Sequence, residues 1–321
     1  AEVNRYLTLP GIAMYLGGQW VVNLNYWGCN QYITQRALGA DLNTARGGLL
    51  FAAFLKLLMP IIVVLPGIAA YVLYKDGAFQ AELLQDGSVN PDRAYPVLLN
   101  LLPSGLKGLS FAALTAAVVA SLAGKANSIA TIFTLDIYKK VFKPEATEGN
   151  LVNTGKLTII VSMILAVLIA PHLGIDKKGG FQYIQEYTGF VSPGIFAMFI
   201  LGFFWKKSTS NAALFATIGG FGLSLLLKFL PGMMDLSFLS DLGFSVKAAN
   251  GVYEIPFLDR MGFVFIFCII GMYIISIIEN KRGIVPNGLE IDTKMFKTTT
   301  GFAVGSIIII GLLVALYTIY W

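Results

Sequence analysis

Charge is scarce in this chain. Asp, Glu, Lys and Arg make up 13% of its 321 residues, about half the share of an ordinary soluble domain. A water-facing surface needs more polar residues than this, so a soluble enzyme is excluded first. Cysteine and histidine are scarcer still: Cys29 and Cys268 stand far apart inside apolar segments, and His172 is the only histidine. Two such cysteines are packing residues rather than a disulfide framework or a zinc set. His172, beside Pro171 at the end of an apolar run, reads as a solvated helix cap. There is no His-Glu-x-x-His pair, no serine nucleophile elbow and no phosphate-binding glycine loop, so no enzyme chemistry and no cofactor site is visible.

What the chain does have is apolar length: 56% of the residues are hydrophobic and the mean hydropathy is +0.72. Eight runs are long enough to cross a bilayer, at 10–34, 47–74, 105–138, 152–172, 181–205, 209–230, 257–279 and 299–321. The fold class expected is an all-α polytopic membrane protein with lipid as its solvent. Lys and Arg outnumber Asp and Glu by 23 to 18, but they sit in short loops and report topology, not a nucleic-acid partner. The loops after spans one, three, five and seven, with Arg36, Lys139, Lys206 and Lys281 among their cations, carry the larger share and read as cytoplasmic. Loop 75–104 is too polar to span and is expected to hold short interfacial helices, as is loop 231–256. The chain opens on Ala1 without the order of a signal peptide, and it is expected to be a portion of a longer protein.

Four segments carry chemistry. The first span, GIAMYLGGQWVVNLNYWGCNQYITQR, mixes glycines with amides in a way that suits a helix broken near the bilayer centre, where freed backbone groups face a cavity. Gln19, Asn23, Tyr26 and Trp27 fall on one helical face. An amide-rich helix packing through interhelical hydrogen bonds is the alternative. Lys56 lies inside LLFAAFLKLLMPIIVVLPG, where a lysine costs roughly 2.5–3.5 kcal/mol, so a polar cavity, a hydroxyl-rich ligand or an ion pair must compensate. The same helix holds Pro60 and Pro66, which would kink it. Span three is built of small residues, with Ser121 and Lys125 at i, i+4 and Ser128 beyond. It is either a close-approach ion site or a packing seam. Span five begins FQYIQEYTGFVSPG and places Phe181, Gln185 and Ser192 along one side, an aromatic–amide pairing that suits a sugar ring. Glu186, next to the outer loop, is expected to be solvated, and Lys228, near Pro231, to snorkel.

On these residues the sequence resembles the sodium/solute symporter family, in its sodium/galactose and sodium/glucose cotransporter branch. The blocks that carry the resemblance are NYWGCNQYITQRAL at 25–38, FAAFLKLLMPIIVVLPGIAAY at 51–71, NSIATIFTLDIYKK at 127–140 and FQYIQEYTGFVSPGIFAMFILGFFWKK at 181–207. The resemblance implies a leucine-transporter-like fold of two inverted five-helix repeats. Residues 1–205 would form the second repeat, with its long outer loop at 75–104, and 206–321 three peripheral helices. The missing N-terminal repeat would then be a partner within the same transporter. It further implies sugar contacts at Asn23, Tyr26, Trp27, Lys56 and Gln185, an inner gate at Tyr26 and an outer gate at Phe181. Sodium, the coupling ion, would be held by the carbonyl of Ala117 with Ala120 and Ser121, although the family has a second serine where Ala120 stands. Lys125, one turn past Ser121, is uncharged in those relatives and is expected to modify the cation site or extend into the inner vestibule. The implied whole is a sodium-coupled hexose symporter of the inner plasma membrane, working by alternating access. A symporter or uniporter for another solute, or a membrane-embedded sensor or structural subunit, is the alternative.

Overall fold

The computed structural model describes residues 17–85, 87–172, 180–248 and 250–320. Among them seven helices are long and apolar enough to cross a membrane, so the chain is an all-α polytopic membrane protein. The long helices are α3 (Leu42–Lys75), α6 (Ser104–Thr131), α7 (Glu148–Ile169), α8 (Gly180–Phe204), α11 (Phe257–Lys281) and α12 (Thr300–Tyr320). The seventh span is composite, with α9 (Ser210–Leu214) joined to α10 (Gly220–Phe229) through a π-helical turn at Phe215–Gly219. The eighth expected span, at 10–34, is described only from residue 17. There it is α1 (Gln19–Leu24), a π turn (Asn25–Cys29), an extended Asn30 and α2 (Gln31–Thr34). The expected break is present and falls at Asn30.

The ends of the helices follow local chemistry. Asp41 starts α3: its Oδ1 accepts from the amides of Asn43 (3.0 Å) and Thr44 (3.1 Å), and its Oδ2 from the Thr44 hydroxyl (2.5 Å), satisfying donors a helix start leaves free. These bonds, the Thr44 hydroxyl foremost, hold the Asp41 carboxyl below its ordinary range. Thr147 caps α7 in the same way, accepting from Asn150 N. Pro60 and Pro66 lie inside α3 without interrupting it. Downstream, α6 runs into a π-helical extension, Ile132–Phe142. Loop 75–104 does hold short helices, α4 (Gln80–Leu83) and α5 (Ala94–Leu99), together with a two-residue hairpin, β1 (Leu84–Gln85) on β2 (Ser88–Val89). A second hairpin, β3 (Val246–Lys247) on β4 (Tyr253–Glu254), lies in loop 231–256. His172 Nδ1 sits 3.1 Å from Leu168 O, at the end of α7, as a cap would.

The helices gather into two compact units. One holds residues 17–34 with 181–297. Its core is Val21, Phe196, Ala197, Ala212, Ala216, Val264, Phe265, Cys268 and Met272, drawn from α1, α8, the α9–α10 span and α11. Cys268 is a fully buried packing residue there. Trp20 meets Phe265 edge-on at 5.1 Å, while Phe196 stacks on Phe265 at 5.3 Å. Where α8 crosses the α9–α10 span, the place of a Gly194 Cβ is taken by Ala216 O, and Gly220 lies against Gly194 Cα. Only glycine permits that approach. After α11, the strap is pinned to the α8–α9 turn. The amide of Asn287 donates to Ser208 O (2.8 Å), that of Leu289 to Gly202 O (2.8 Å), and Asn287 Nδ2 to Ser210 Oγ (2.6 Å).

The other unit holds residues 35–172 with 298–320. In it α6 packs along α7, and α3 along α5 and α12. Asn127 Nδ2 bonds Gln35 Oε1 at 3.4 Å. The apolar windows of α3, α6, α7 and α12 have none of their residues buried within the chain.

Candidate functional site

The first unit carries Asn23, Tyr26, Trp27 and Gln185. Asn23 is at the end of α1 and exposed, while Val21 and Val22 on the opposite face are buried and fasten the segment. Tyr26 and Trp27 stand in the π turn, each 42% exposed, with rings edge-to-face at 5.5 Å. Both rings are exposed on the side of the segment that carries Asn23. Asn25 in the same turn has a buried Oδ1 without a hydrogen bond among the described residues. The turn ends where Asn30 becomes extended, its Oδ1 taking the amide of Tyr32 (3.1 Å). The segment thus presents an exposed amide and two exposed aromatic rings just before the backbone leaves the helix at Asn30. Gln185 is half-buried on α8. The side chain of Phe181 lies outside the described residues.

The second unit carries Lys56, Ala117, Ala120, Ser121 and Lys125. Lys56 lies in mid-helix on α3 and is exposed within the chain. Ala117, Ala120, Ser121 and Lys125 all lie on α6, exposed, while Ala126, Ser128 and Ala130 farther along are buried. The residue that replaces the expected second serine is therefore a surface alanine. A hydroxyl at 120 would not disturb a packed core.

Two polar clusters went unread in the sequence. Glu186 is not solvated: its side chain is 15% exposed, with Oε1 accepting from Lys228 Nζ at 2.5 Å and Arg260 Nη2 at 3.1 Å. Lys228 accordingly does not snorkel but reaches inward to Glu186. The sequence reading treated each charge alone, whereas a buried carboxylate is tolerated because two cations from other helices meet it. Asp259, also buried, sits in the first turn of α11, where the helix dipole favours a carboxylate. A void of about 10 Å³, room for a single water, is bordered by Glu186, Ser224, Arg260 and Met261. At the C-terminal end of α11, Glu279 accepts from the Thr209 hydroxyl and from Asn211 Nδ2 (2.7 Å), fastening α11 to the start of α9.

Residues 4–220 match the Sodium:solute symporter family. The chain belongs to that family. Its relatives include the sodium/glucose cotransporter of Vibrio parahaemolyticus, 44% identical over 99% of this chain and 56% of that protein. They also include the sodium/myo-inositol cotransporter 2 of Oryctolagus cuniculus, 37% identical over 73% of this chain and 35% of that protein. The sodium/mannose cotransporter of Bos taurus is 36% identical over 64% of this chain and 36% of that protein. The chain thus spans about half the length of the bacterial symporter and about a third of the animal ones.

Proposed function

We propose that this chain is the C-terminal part of a sodium-coupled hexose symporter of the inner plasma membrane. The observation that carries the reading is the interrupted segment Gln19–Thr34, which breaks at Asn30 and turns Asn23, Tyr26 and Trp27 outward in a protein of the symporter family. A pyranose offers an apolar C–H face and a rim of hydroxyls. Aromatic rings suit the first, and amides, which both donate and accept, suit the second. Tyr26 closes the sugar from the cytoplasmic side, Trp27 shapes the same surface, Asn23 and Gln185 pair hydroxyls, and Phe181 is the outer gate. Lys56 is assigned to sugar hydroxyls because an ammonium on α3 donates three hydrogen bonds but would repel sodium.

The coupling ion is sodium, with the Ala117 carbonyl and Ser121 as ligands, Ala120 supplying no hydroxyl and Lys125 modifying the site. Transport needs no bond-making chemistry. A ligand that binds one conformation more tightly shifts the equilibrium toward it, and the two ligands favour each other through that shared equilibrium. On this reading residues 1–205 are the second repeat of a leucine-transporter-like fold and 206–321 its peripheral helices. The first repeat lies in the remainder of the full-length protein.

The test is uptake of radiolabelled glucose, galactose, mannose and myo-inositol into proteoliposomes by the full-length protein, with and without a sodium gradient. Concentrative, sodium-dependent uptake of a hexose is expected. Preference for myo-inositol would move the substrate to a cyclic polyol, and uptake indifferent to sodium would leave a uniporter.

A further inference from the structure

The two elements proposed to hold the sugar amides in the first unit are both fitted to the opening turns of α11. On one side, the Gly18 amide donates to Leu258 O at 2.8 Å. The position a Gly18 Cβ would need is filled by that oxygen and by Met261 Cβ, so α1 lies backbone-close on α11. Val22, Leu258 and Met261 form one buried cluster there. On the other side, the Met261 thioether runs against α8: a Cβ on Gly189 would stand 2.7 Å from Sδ and 3.3 Å from Cε. The preceding residue, Arg260, reaches the same helix through Glu186 Oε1, an oxygen it shares with Lys228. Met261 is therefore a single buried side chain, 4% exposed, wedged between the segment that carries Asn23 and the helix that carries Gln185.

The geometry points to Met261 and the Arg260–Glu186 pair as positioning residues of sugar recognition, an inference that rests on the sugar reading given above. Asn23 follows Gly18 by five residues, about 7 Å along a helix axis at 1.5 Å per residue. Gln185 precedes Gly189 by one turn and adjoins Glu186 directly. Both amides are thus within about one and a half turns of their contact with α11, too short a lever for a shift there to be absorbed before it reaches them. Packed contacts pass such shifts on because close-packed interiors yield little. The spacing of the two amides, and with it which hydroxyls they pair, is set by a helix that contacts no sugar itself.

The experiment uses the full-length protein, purified and reconstituted, with tritiated galactose as probe in equilibrium binding and in uptake. Met261→Ala is expected to raise the galactose Kd and KM about three- to ten-fold, with the maximal rate per inserted protein and sodium binding in the absence of sugar little changed. Met261→Leu, which refills the wedge, should recover most of the affinity. In a Gln185→Ala background the Met261→Ala effect should shrink, because the amide it positions is gone. Glu186→Gln combined with Arg260→Gln, which leaves Lys228 31% exposed and able to reach water, should reproduce the affinity loss without misfolding. A galactose affinity unchanged by Met261→Ala in a protein whose wild type binds galactose overturns the positioning role and leaves the symporter reading standing. So does a loss confined to folded yield or maximal rate. No saturable galactose binding by the wild type overturns the sugar reading and the positioning role together.

Discussion

Replacing Gly18 by Ala is the smallest change that tests how α1 is held. The added methyl meets Leu258 O and Met261 Cβ at once, and Gly262 N lies 3.1 Å away. Two of those three atoms are backbone, so neither can rotate aside, and α1 must lift from α11. Overpacking of this kind costs about 1–3 kcal/mol. Lifting also breaks the bond from the Gly18 amide to Leu258 O, worth about 1 kcal/mol net. The sum is about 2–4 kcal/mol, local to the segment that carries Asn23 and Tyr26. Gly189→Ala provides the contrast, since only side-chain atoms of Met261 and no backbone oppose its methyl, and the cost should lie at the low end of the overpacking range, about 1 kcal/mol. Gly28→Ala, with nothing within 4 Å of the new methyl, serves as the control. Thermal unfolding of the purified full-length protein in detergent, followed by tryptophan fluorescence, should rank the midpoints Gly28→Ala above Gly189→Ala above Gly18→Ala. Sugar binding should weaken most in Gly18→Ala. Equal midpoints and equal affinities for Gly18→Ala and Gly28→Ala would refute the close approach of α1 to α11.

Other substitutions separate the proposed roles. Tyr26→Ala should abolish sugar-dependent transport while Tyr26→Phe keeps part of it, measured by proteoliposome uptake; equal uptake in wild type and Tyr26→Ala removes the gate assignment. Lys56→Ala should weaken sugar binding and leave sodium binding without sugar unchanged, and the reverse pattern in paired titrations would move Lys56 to the ion machinery. The sodium concentration at half-maximal uptake should fall in Lys125→Met combined with Ala120→Ser; a concentration unchanged from the wild type would exclude a modifying role for Lys125. The Asp41 cap should stabilise the start of α3 throughout the neutral range. Its folded pKa lies below the ordinary value near 4, so its contribution is complete above that value and is lost as pH falls through the lowered one. Amide exchange at Asn43 and Thr44 should quicken in Asp41→Ala at neutral pH and stay slow in Asp41→Ser.

The order of apolar runs, the broken first span and the helical content of loop 75–104 could be read from the residues because each rests on a local cause. Long lipid-compatible runs leave helix as the only solution, and glycines among amides mark where one run gives way. The π turns at Asn25–Cys29, Phe215–Gly219 and Ile132–Phe142 could not, since an inserted residue is retained only where neighbouring helices accommodate the bulge. The partners of Glu186 were hidden for a similar reason: Lys228 and Arg260 lie 42 and 74 residues away, and no periodicity joins them. Of the proposed sugar residues, Asn23, Tyr26 and Trp27 drew notice by spacing and Lys56 by its cost in an apolar helix. Met261 is one apolar residue among many, and only its two glycine neighbours give it meaning.

The strap that follows α11 also bears on how the molecule can be handled. Asn287, Gly288 and Leu289 spend their backbone donors on carbonyls of the α8–α9 turn, and Gly288 lies so close to Lys206 that a side chain has no room. A connector of this kind is a fixed part of the fold rather than slack rope. An epitope, fluorophore or protease site grafted at 287–289 would unseat the turn between two spans and report its own damage. The hairpin at Gly251, whose backbone turns at φ +84° with open space around it, is a better place on this chain to carry a label.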